Sequence, residues 1–192
     1  MMGVEQPVIG VLFSNGERLA QRLIQTDRPV MLETELGFRL NASITDAIEE
    51  HSAANYIEHV APMIELAAPN LQQRPNAVDL IASNSATYSY ITGNPFQADW
   101  RATDAASASP DLDRLNISLF QQNDLLHAEV AGSIMQGQWH AVTWLINEVL
   151  AQGYTLSPEH LLMTGSVGAL HPGKPGEYRG EYGQLGSIEF NL

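Results

Sequence analysis

The segment PVMLETELGFRL, residues 29–40, constrains the fold more than any other part of the sequence. Side chains alternate sides along a strand, so apolar residues on one face predict a buried side. Glu33 and Glu35 share the opposite face, with Cα atoms roughly 7 Å apart. That face is either the solvated side of an ordinary strand or half of a metal site. The apolar face carries Val30, Leu32, Leu36, Phe38 and Leu40, and the other carries Met31, Glu33, Glu35, Gly37 and Arg39.

Length and charge narrow the classes of protein to which the chain can belong. A chain of 192 residues can form one domain with a substantial core, so we expect a single domain over residues 1–192. Charged residues make up 16% and apolar residues 44%, which favours a globular chain over a disordered one. The net charge of −13 disfavours a nucleic-acid partner and suits divalent cations.

Cysteine is absent, which excludes disulfides, thiolate nucleophiles and zinc–cysteine sites. The opening MMGVEQPVIGVLF lacks the basic region of a signal peptide, and no apolar run reaches the length of a membrane span. These features predict a soluble cytoplasmic protein with no membrane partner.

Helix signals occur in three places. Residues 14–29 contain both a hairpin dipeptide, Asn15-Gly16, and apolar residues at helical spacing, and we favour a short helix. Residues 43–46 match a capping box, which predicts a helix that runs to about Val60. The clearest helix is WHAVTWLINEVLAQG, which has one apolar stripe and ends at Gly153.

Strand signals outnumber helix signals, so the sequence predicts an α+β fold, a strand-rich mixed sandwich or roll with a few helices. Residues 93–113 are rich in Asp, Ala, Ser and Pro and predict an irregular connection. The predicted strands are 62–69 bounded by two prolines, a buried strand at 77–83, a hairpin around 122–124, a strand in HLLMTG, and two glycine-punctuated strands in 176–192.

Carboxylates are the strongest candidates for chemistry. The six histidines show no metal-binding spacing, no phosphate loop is present, and Thr164-Gly165-Ser166 is not a nucleophile elbow. Glu65 stands in the apolar stretch PMIELAAP, where a charge needs a partner or a cation. Together with Glu33 and Glu35 it would make an all-oxygen site, which selects Mg²⁺ or Mn²⁺ over zinc or copper.

The order of several segments resembles the 2-keto-4-pentenoate hydratase and 4-oxalocrotonate decarboxylase family of the fumarylacetoacetate hydrolase superfamily. The resemblance covers nearly the whole chain. Its most specific part is the closing block, in which TGS precedes a Pro-Gly turn and LGS precedes the final strand. The matching segments are GVEQPVIGVL, PVMLETELGFRL, VAPMIELA, DLIASNSA, GQWHAVTWLINEVLAQGYTL, LLMTGSVGALHPGKPGE and GQLGSIEF.

The resemblance implies a metal site and a substrate. The family's E-x-E falls on Glu33 and Glu35, and its third metal ligand falls on Glu65. The metal would chelate the 2-oxo acid end of a small substrate and stabilise the enolate that forms there. Thr164, Gly165 and Ser166 would bind the substrate, and Ser166 is the candidate catalytic hydroxyl. Relatives are oligomeric, so a homo-oligomer is expected, or a complex with an active homologue.

The chain also departs from the family pattern. Family members usually begin earlier, with a GYKxG segment whose lysine assists proton transfer, and the only lysine here is Lys174 in a turn. The family's E-x-x-D-S-R becomes a segment with Ala68 and Asn70, and its ADNA has Ser83 in place of the acid. The metal ligands therefore persist, while several candidate acids and bases do not.

Three functions remain open on the sequence. The first is a metal-dependent lyase, either hydratase or decarboxylase, acting on a 2-oxo or 2-hydroxy-dienoate acid of aromatic catabolism. The second is a catalytically impaired metal- or ligand-binding relative, or a partner subunit of an active homologue. The third is a hydrolase or tautomerase of the wider superfamily.

Overall fold

The computed structural model describes residues 7–20, 22–69, 71, 73, 76–101 and 109–192. The α-helices are α1 (Ala77–Ala82) and α2 (Gln138–Ala151), and 3-10 helices cover Ser14–Gly16, Glu50–Tyr56, Leu112–Arg114, Ala131–Ser133 and Gly183–Leu185. The strands are β1 (Glu17–Arg18), β2 (Met31–Leu40), β3 (Ile57–Ala67), β4 (Thr87–Thr92), β5 (Phe96–Gln97), β6 (Asn116–Gln121), β7 (Asp124–Val130), β8 (Leu161–Met163), β9 (Val167–Pro172), β10 (Glu177–Glu181) and β11 (Ser187–Asn191).

The larger sheet is built around the long antiparallel pair β2–β3. Within the described residues its order is β1-β4-β3-β2-β8, with β5 beside β3 and β9 beside β2. The smaller sheet is antiparallel, in the order β11-β10-β6-β7. Side chains from both sheets enter one core, in which Leu32, Leu36 and Phe38 of β2 lie with Ile117 of β6 and Phe190 of β11. The predicted strand-rich α+β fold is confirmed.

Helix α2 is fixed to the rest of the molecule near its start and again two turns later. The Trp139 ring packs edge-on against Phe38, with ring centroids 6.0 Å apart. The Asn147 amide donates to the Ile48 carbonyl at 2.9 Å and accepts from the Ile48 N–H at 2.8 Å. The helix matches its prediction, and Gly153 follows it with φ +84°.

Most of the predicted strands are also found. The strand in residues 29–40, the hairpin around 122–124, the strand in HLLMTG and the two C-terminal strands correspond to β2, β6–β7, β8 and β10–β11. The predicted irregular stretch 93–113 is broken by β5 and by a 3-10 turn, and its residues 102–108 lie outside the described residues. No helix in the described part of the chain has the length and apolar character to span a membrane.

The prediction of a strand at residues 77–83 is wrong, because this segment forms α1. Asn76 Oδ1 accepts from the N–H groups of Val78 and Asp79, and the Asp79 carboxylate accepts from the Asn76 N–H. This reciprocal capping box nucleates a helix locally. Val78 and Ile81 are largely exposed, so the apolar run does not enter the core.

The predicted helix running to Val60 is also wrong. A 3-10 helix covers Glu50–Tyr56, and β3 begins at Ile57. The backbone beyond that point pairs with β2 on one side and with β4 and β5 on the other, and these ladders outweigh local helix propensity. The strand continues through Pro62, whose carbonyl accepts from Gly93 N–H, so this proline does not bound it.

The favoured short helix in residues 14–29 is absent from the described residues there. After a 3-10 turn at Ser14–Gly16, β1 pairs in parallel with β4, so the alternative hairpin is not formed either. Leu19 and Leu23 are exposed, whereas Ile24 is buried and its N–H donates to the Asn191 carbonyl. Pairing with distant strands therefore decides this segment.

Candidate metal centre

The three glutamates meet through the register of β2 and β3. Glu33 lies directly opposite Glu65, and Glu35 is two residues further along the same face of β2. Directly opposed residues on antiparallel strands have neighbouring side chains on one face. One ligand oxygen from each of the three carboxylates lies within 4.8 Å of the others. The structure thus brings together all three residues that the sequence nominates as metal ligands.

These carboxylates are buried at a cost that a cation can offset. Glu35 is 2% exposed and Glu65 is 6% exposed. Burial and then the charge of Glu65 raise the pKa of Glu33 to about 7. Burial, followed by the charges of the other two glutamates, raises the pKa of Glu35 well above its usual range, and burial raises the pKa of Glu65.

The donor set fits a hard divalent cation. Oxygen Oε1 of Glu65 is buried and has no hydrogen-bond partner among the residues that the structure describes. A buried carboxylate oxygen without a donor costs free energy, and coordination to Mg²⁺ or Mn²⁺ would satisfy it. Three carboxylates without nitrogen or sulfur ligands suit these ions better than zinc.

Gly165 holds one of the three carboxylates in place. Its backbone N–H donates to Glu35 Oε2 at 2.8 Å. Gly165 has φ +104°, a conformation that side-chain-bearing residues rarely adopt, and no atom lies within 4 Å of the position that a Cβ would take. Glycine is therefore required here by the backbone and not by lack of space.

The two neighbours of Gly165 present their hydroxyl groups differently. Thr164 Oγ1 donates to Gln138 Oε1 at 2.8 Å, so this hydroxyl is committed to holding β8 against α2. Ser166 Oγ is buried without a hydrogen bond of good geometry, although it lies close enough to the Glu33 carboxyl to lower its pKa slightly against the effect of burial. Ser166 is therefore the hydroxyl of this segment that can donate to a ligand.

A cavity of about 970 Å³ opens beside the glutamates. Glu33, Glu35 and Glu65 are the only ionisable side chains among the described residues that line it. Its other walls come from the segment 7–12, the loop before β4, helix α2, and strands β8 and β9. The cavity is large enough for a small organic acid.

Lys174, His140 and two of the positions at which the chain departs from the family pattern lie outside the cavity lining. Lys174 is exposed in the turn after β9, and its backbone N–H donates to the Tyr178 hydroxyl. His140 pairs with Glu50 at 2.9 Å near the surface. Neither residue lines the cavity, and Ala68 and Ser83 are likewise outside its lining. Asn70, the remaining departure from the family pattern, lies outside the described residues.

His127 and His171 form a stacked pair on the opposite face of β2. Their ring centroids are 5.1 Å apart, and His127 Nδ1 lies 3.0 Å from His171 Nε2. His127 Nε2 lies 3.0 Å from Thr34 Oγ1, and Thr34 points away from the glutamates on its strand. Burial, and then the charge of His171, lowers the pKa of His127.

The loop before β4, which forms a wall of the cavity, was not predicted from the sequence. Asn84, Ser85 and Ala86 have φ values of 57°, 57° and 62°, a left-handed conformation that is uncommon for non-glycine residues. The Asn84 side chain clamps the segment 7–12, because its Oδ1 accepts from Val11 N–H at 2.7 Å. Ser85, Ala86 and Thr87 line the cavity. The only sequence signal was Asn84, a residue type that tolerates this conformation.

The sequence matches no protein-family model and no curated protein. Solved structures, in contrast, resemble the fold over most of the chain. A 4-oxalocrotonate decarboxylase from Pseudomonas putida G7, complexed with magnesium and adipate, has a TM-score of 0.83 and 20% identity, over 99% of this chain and 71% of that one.

Two further solved structures, a hydrolase and an isomerase, also share the fold. A fumarylpyruvate hydrolase from Pseudomonas aeruginosa, in complex with Mn²⁺ and pyruvate, has a TM-score of 0.68 and 16% identity, over 91% of this chain and 72% of that one. A 5-carboxymethyl-2-hydroxymuconate delta-isomerase from Mycobacterium smegmatis has a TM-score of 0.64 and 14% identity. The match covers 96% of this chain and 63% of that one. The chain has the fold of fumarylacetoacetate hydrolase proteins, as the sequence resemblance predicted.

Proposed function

We propose that this protein is a divalent-metal-dependent lyase, a hydratase or decarboxylase, that acts on a small 2-oxo or 2-hydroxy-dienoate acid. The observation that carries the proposal is the convergence of Glu33, Glu35 and Glu65 within 4.8 Å at a cavity that no other described ionisable side chain lines. Two buried carboxylates and the partly buried one of Glu33 attract a divalent cation and repel organic acids in its absence. Binding of an acid at this place therefore depends on the metal.

The roles of the chain's own residues follow from their contacts. Glu33, Glu35 and Glu65 would hold Mg²⁺ or Mn²⁺, which when bound supplies charge stabilisation for the carboxylate and keto oxygen of a 2-oxo acid. Gly165 N–H keeps the Glu35 carboxylate oriented. Ser166 Oγ, which lies beside the Glu33 carboxyl and has no other hydrogen-bond partner among the described residues, would donate a hydrogen bond to the substrate.

The similar structures support the choice of metal and ligand class. The decarboxylase structure contains magnesium and adipate, and the fumarylpyruvate hydrolase structure contains Mn²⁺ and pyruvate. Both pairs combine a hard divalent cation with an organic acid. The glutamate cluster of this chain suits the same combination of a divalent cation and an organic acid.

Titration calorimetry tests the metal site and the acid together. Wild-type protein should bind one Mn²⁺ per chain and should bind oxalate only when Mn²⁺ is present. Glu35→Ala should lose both, because it removes the most deeply buried of the three carboxylates. Glu189→Ala, which removes an exposed carboxylate on β11, is the matched control and should behave as wild type. Equal Mn²⁺ affinity in the wild type and Glu35→Ala would refute the site.

A second candidate function is a protein that binds the metal and the acid but turns over slowly. It is favoured by the cavity lining, where the described residues offer no lysine, histidine or aspartate to move a proton. A proton-transferring group ordinarily contributes about 10²–10⁴-fold in rate.

We accordingly expect 2-hydroxypenta-2,4-dienoate to be consumed, with Mg²⁺ present, at least about 10²-fold more slowly than by a 2-keto-4-pentenoate hydratase that has the GYKxG lysine. Absorbance of the substrate follows the reaction. A turnover in the ordinary range of about 1–10³ per second would reject this second candidate and would show that an unassigned group donates the proton.

A further inference from the structure

We propose that the cavity beside the glutamates selects 2-oxo monocarboxylic acids with an extended apolar tail and rejects 2-oxo diacids. The proposal rests on the proposed function and adds the class of substrate. It follows from two properties of the cavity, namely the sign of its charges and the chemistry of its walls.

The charges that the described residues bring to the cavity allow one carboxylate of a ligand to be neutralised, through a metal on the glutamates. The three glutamates are the only charged side chains among the described residues that line it, and none of those lining residues is Lys, Arg or His. A divalent cation on the glutamates can bind the carboxylate that neighbours the keto group. A second carboxylate, at the far end of a diacid, would enter the cavity without a cation, and burying an unpaired carboxylate is strongly unfavourable.

Strand β8 supplies part of the apolar wall on the same face as the glutamates. Met163 lies opposite Gly37, and Leu161 lies opposite Arg39. Because Gly37 and Arg39 share the face of Glu35 on β2, the side chains of Met163 and Leu161 lie on that face as well. Both residues line the cavity.

Helix α2 supplies a second apolar wall. Ala141, Leu145 and Val149 recur at intervals of four residues and therefore form one stripe along the helix. Trp144 lies beside this stripe, and all four residues line the cavity. The stripe is thus turned towards the space where the tail of a bound acid would lie.

The segment 7–12 closes the cavity from a third side. Val8, Ile9 and Leu12 line the cavity, and the hydrogen bonds between Val11 and Asn84 hold the segment against the loop before β4. Gly10 permits this close approach, because a Cβ there would come within 2.7 Å of the Asn84 carbonyl oxygen. Apolar side chains on three sides make a site for a hydrocarbon tail.

The size of the expected effect follows from apolar transfer free energies. Each methylene that leaves water for an apolar site contributes about 0.8 kcal/mol, which corresponds to about fourfold in affinity. We therefore expect affinity to rise with tail length. A diacid of equal chain length loses this gain at its far end and also has its second carboxylate desolvated.

Calorimetry on the Mn²⁺-loaded wild type is the primary test. The probes are 2-oxobutanoate, 2-oxohexanoate, 2-oxooctanoate and 2-oxohexanedioate, the last being matched in chain length to 2-oxohexanoate. We expect affinity to rise along the three monoacids by about fourfold per methylene. The diacid should bind at least about tenfold more weakly than 2-oxohexanoate. Equal or tighter binding of the diacid, or affinities independent of tail length, would overturn the proposal.

Two variants locate the selectivity in the cavity wall. Leu145→Lys places a cation in the wall and should reduce the preference for the monoacid by about tenfold. Leu125→Lys makes the same change at an exposed position on β7 that does not line the cavity, and should keep the wild-type preference. An unchanged preference in a folded Leu145→Lys protein would place the selectivity elsewhere and contradict the proposal.

A variant of Arg74 tests whether a residue outside those described supplies a cation for the second carboxylate of a diacid. It is the only basic residue among them, and Arg74→Ala should leave the preference unchanged. If the wild type binds the diacid well and Arg74→Ala abolishes that binding, the proposal is wrong and Arg74 pairs with the second carboxylate. If no 2-oxo acid binds to the Mn²⁺-loaded protein, the proposed function fails as well. If diacids bind better than monoacids, only this inference fails.

Discussion

Glu35, a proposed metal ligand, is held by a backbone contact. Its carboxylate is almost fully buried, its pKa is raised by burial and by the other two glutamates, and Gly165 N–H donates to it. That N–H favours the ionised carboxylate, which is the form that binds a metal. Contacts of this kind around ligating residues commonly change metal affinity by about 10–100-fold.

Gly165→Ala should therefore weaken both folding and metal binding. An alanine at φ +104° is strained, and we expect a loss of about 1–2 kcal/mol in the free energy of unfolding. Relief of that strain moves the N–H away from Glu35, so Mn²⁺ affinity should fall by about tenfold. Urea denaturation and calorimetry measure the two effects.

Gly186→Ala is the matched control. Gly186 also has positive φ, +98°, and no atom lies within 4 Å of the place where a Cβ would stand, but it belongs to the turn before β11. Its substitution should cost similar stability and leave Mn²⁺ affinity unchanged. Wild-type Mn²⁺ affinity in Gly165→Ala would show that the N–H contact with Glu35 does not prepare the site.

At the scale of elements, a chain of hydrogen bonds joins β2 to β7 and β9. Thr34 Oγ1 lies 2.8 Å from the Val167 carbonyl, which can only accept, so the hydroxyl donates to it. The hydroxyl oxygen therefore accepts from His127 Nε2–H. In neutral His127, Nδ1 is then the acceptor, so His171 Nε2–H donates to it. This series of hydrogen bonds thus fixes the tautomers of both histidines and anchors β9, the strand that follows Ser166.

Thr34→Val should destabilise the protein more than Thr34→Ser does. Valine keeps the shape but removes the partner of the half-buried His127 N–H and one hydrogen bond of the Val167 carbonyl, at a cost of about 1–3 kcal/mol. Serine keeps the hydroxyl and loses only a methyl group. Urea denaturation at pH 8, above the ordinary histidine pKa of about 6.5, gives the comparison. A valine variant as stable as the serine variant would show that these hydrogen bonds contribute little to the free energy of unfolding.

At the scale of the whole molecule, exposed apolar side chains favour self-association. Val11 and Phe13 near the start of the described chain, and Val78 and Ile81 on α1, are 48–71% exposed. The hydrogen bonds between Val11 and Asn84 bring the first pair beside the end of α1, and exposed apolar side chains that lie near one another often mark protein–protein contacts. The homo-oligomer expected from the sequence stays a prediction, and this surface is its candidate interface.

Sedimentation analysis at micromolar concentration tests that prediction. We expect a species larger than the 21.0 kDa chain. Ile81→Asp should shift it towards the monomer, since it buries a carboxylate in the candidate interface. Leu125→Asp, at an exposed position on β7, should leave the mass unchanged. A wild-type protein that sediments only as a monomer would contradict the prediction.

The sequence by itself determined the features that depend on local periodicity. The two-residue repeat in residues 29–40 predicted both the buried face and the shared face of Glu33 and Glu35, because strand side chains alternate whatever the rest of the fold does. The apolar stripe of α2 and the turn residues of the β6–β7 hairpin are equally local signals. The charge of Glu65 within an apolar run marked it as a residue in need of a partner.

Tertiary structure decided everything that depends on pairing between distant segments. Strand register places Glu65 opposite Glu33, and ladders on both sides turn the predicted helix after residue 56 into β3. The absence of a basic side chain among the described residues of the cavity lining also emerges only when several elements are assembled. Register, ladder pairing and cavity walls are set by contacts between residues far apart in the chain, and one-dimensional periodicity carries no information about them.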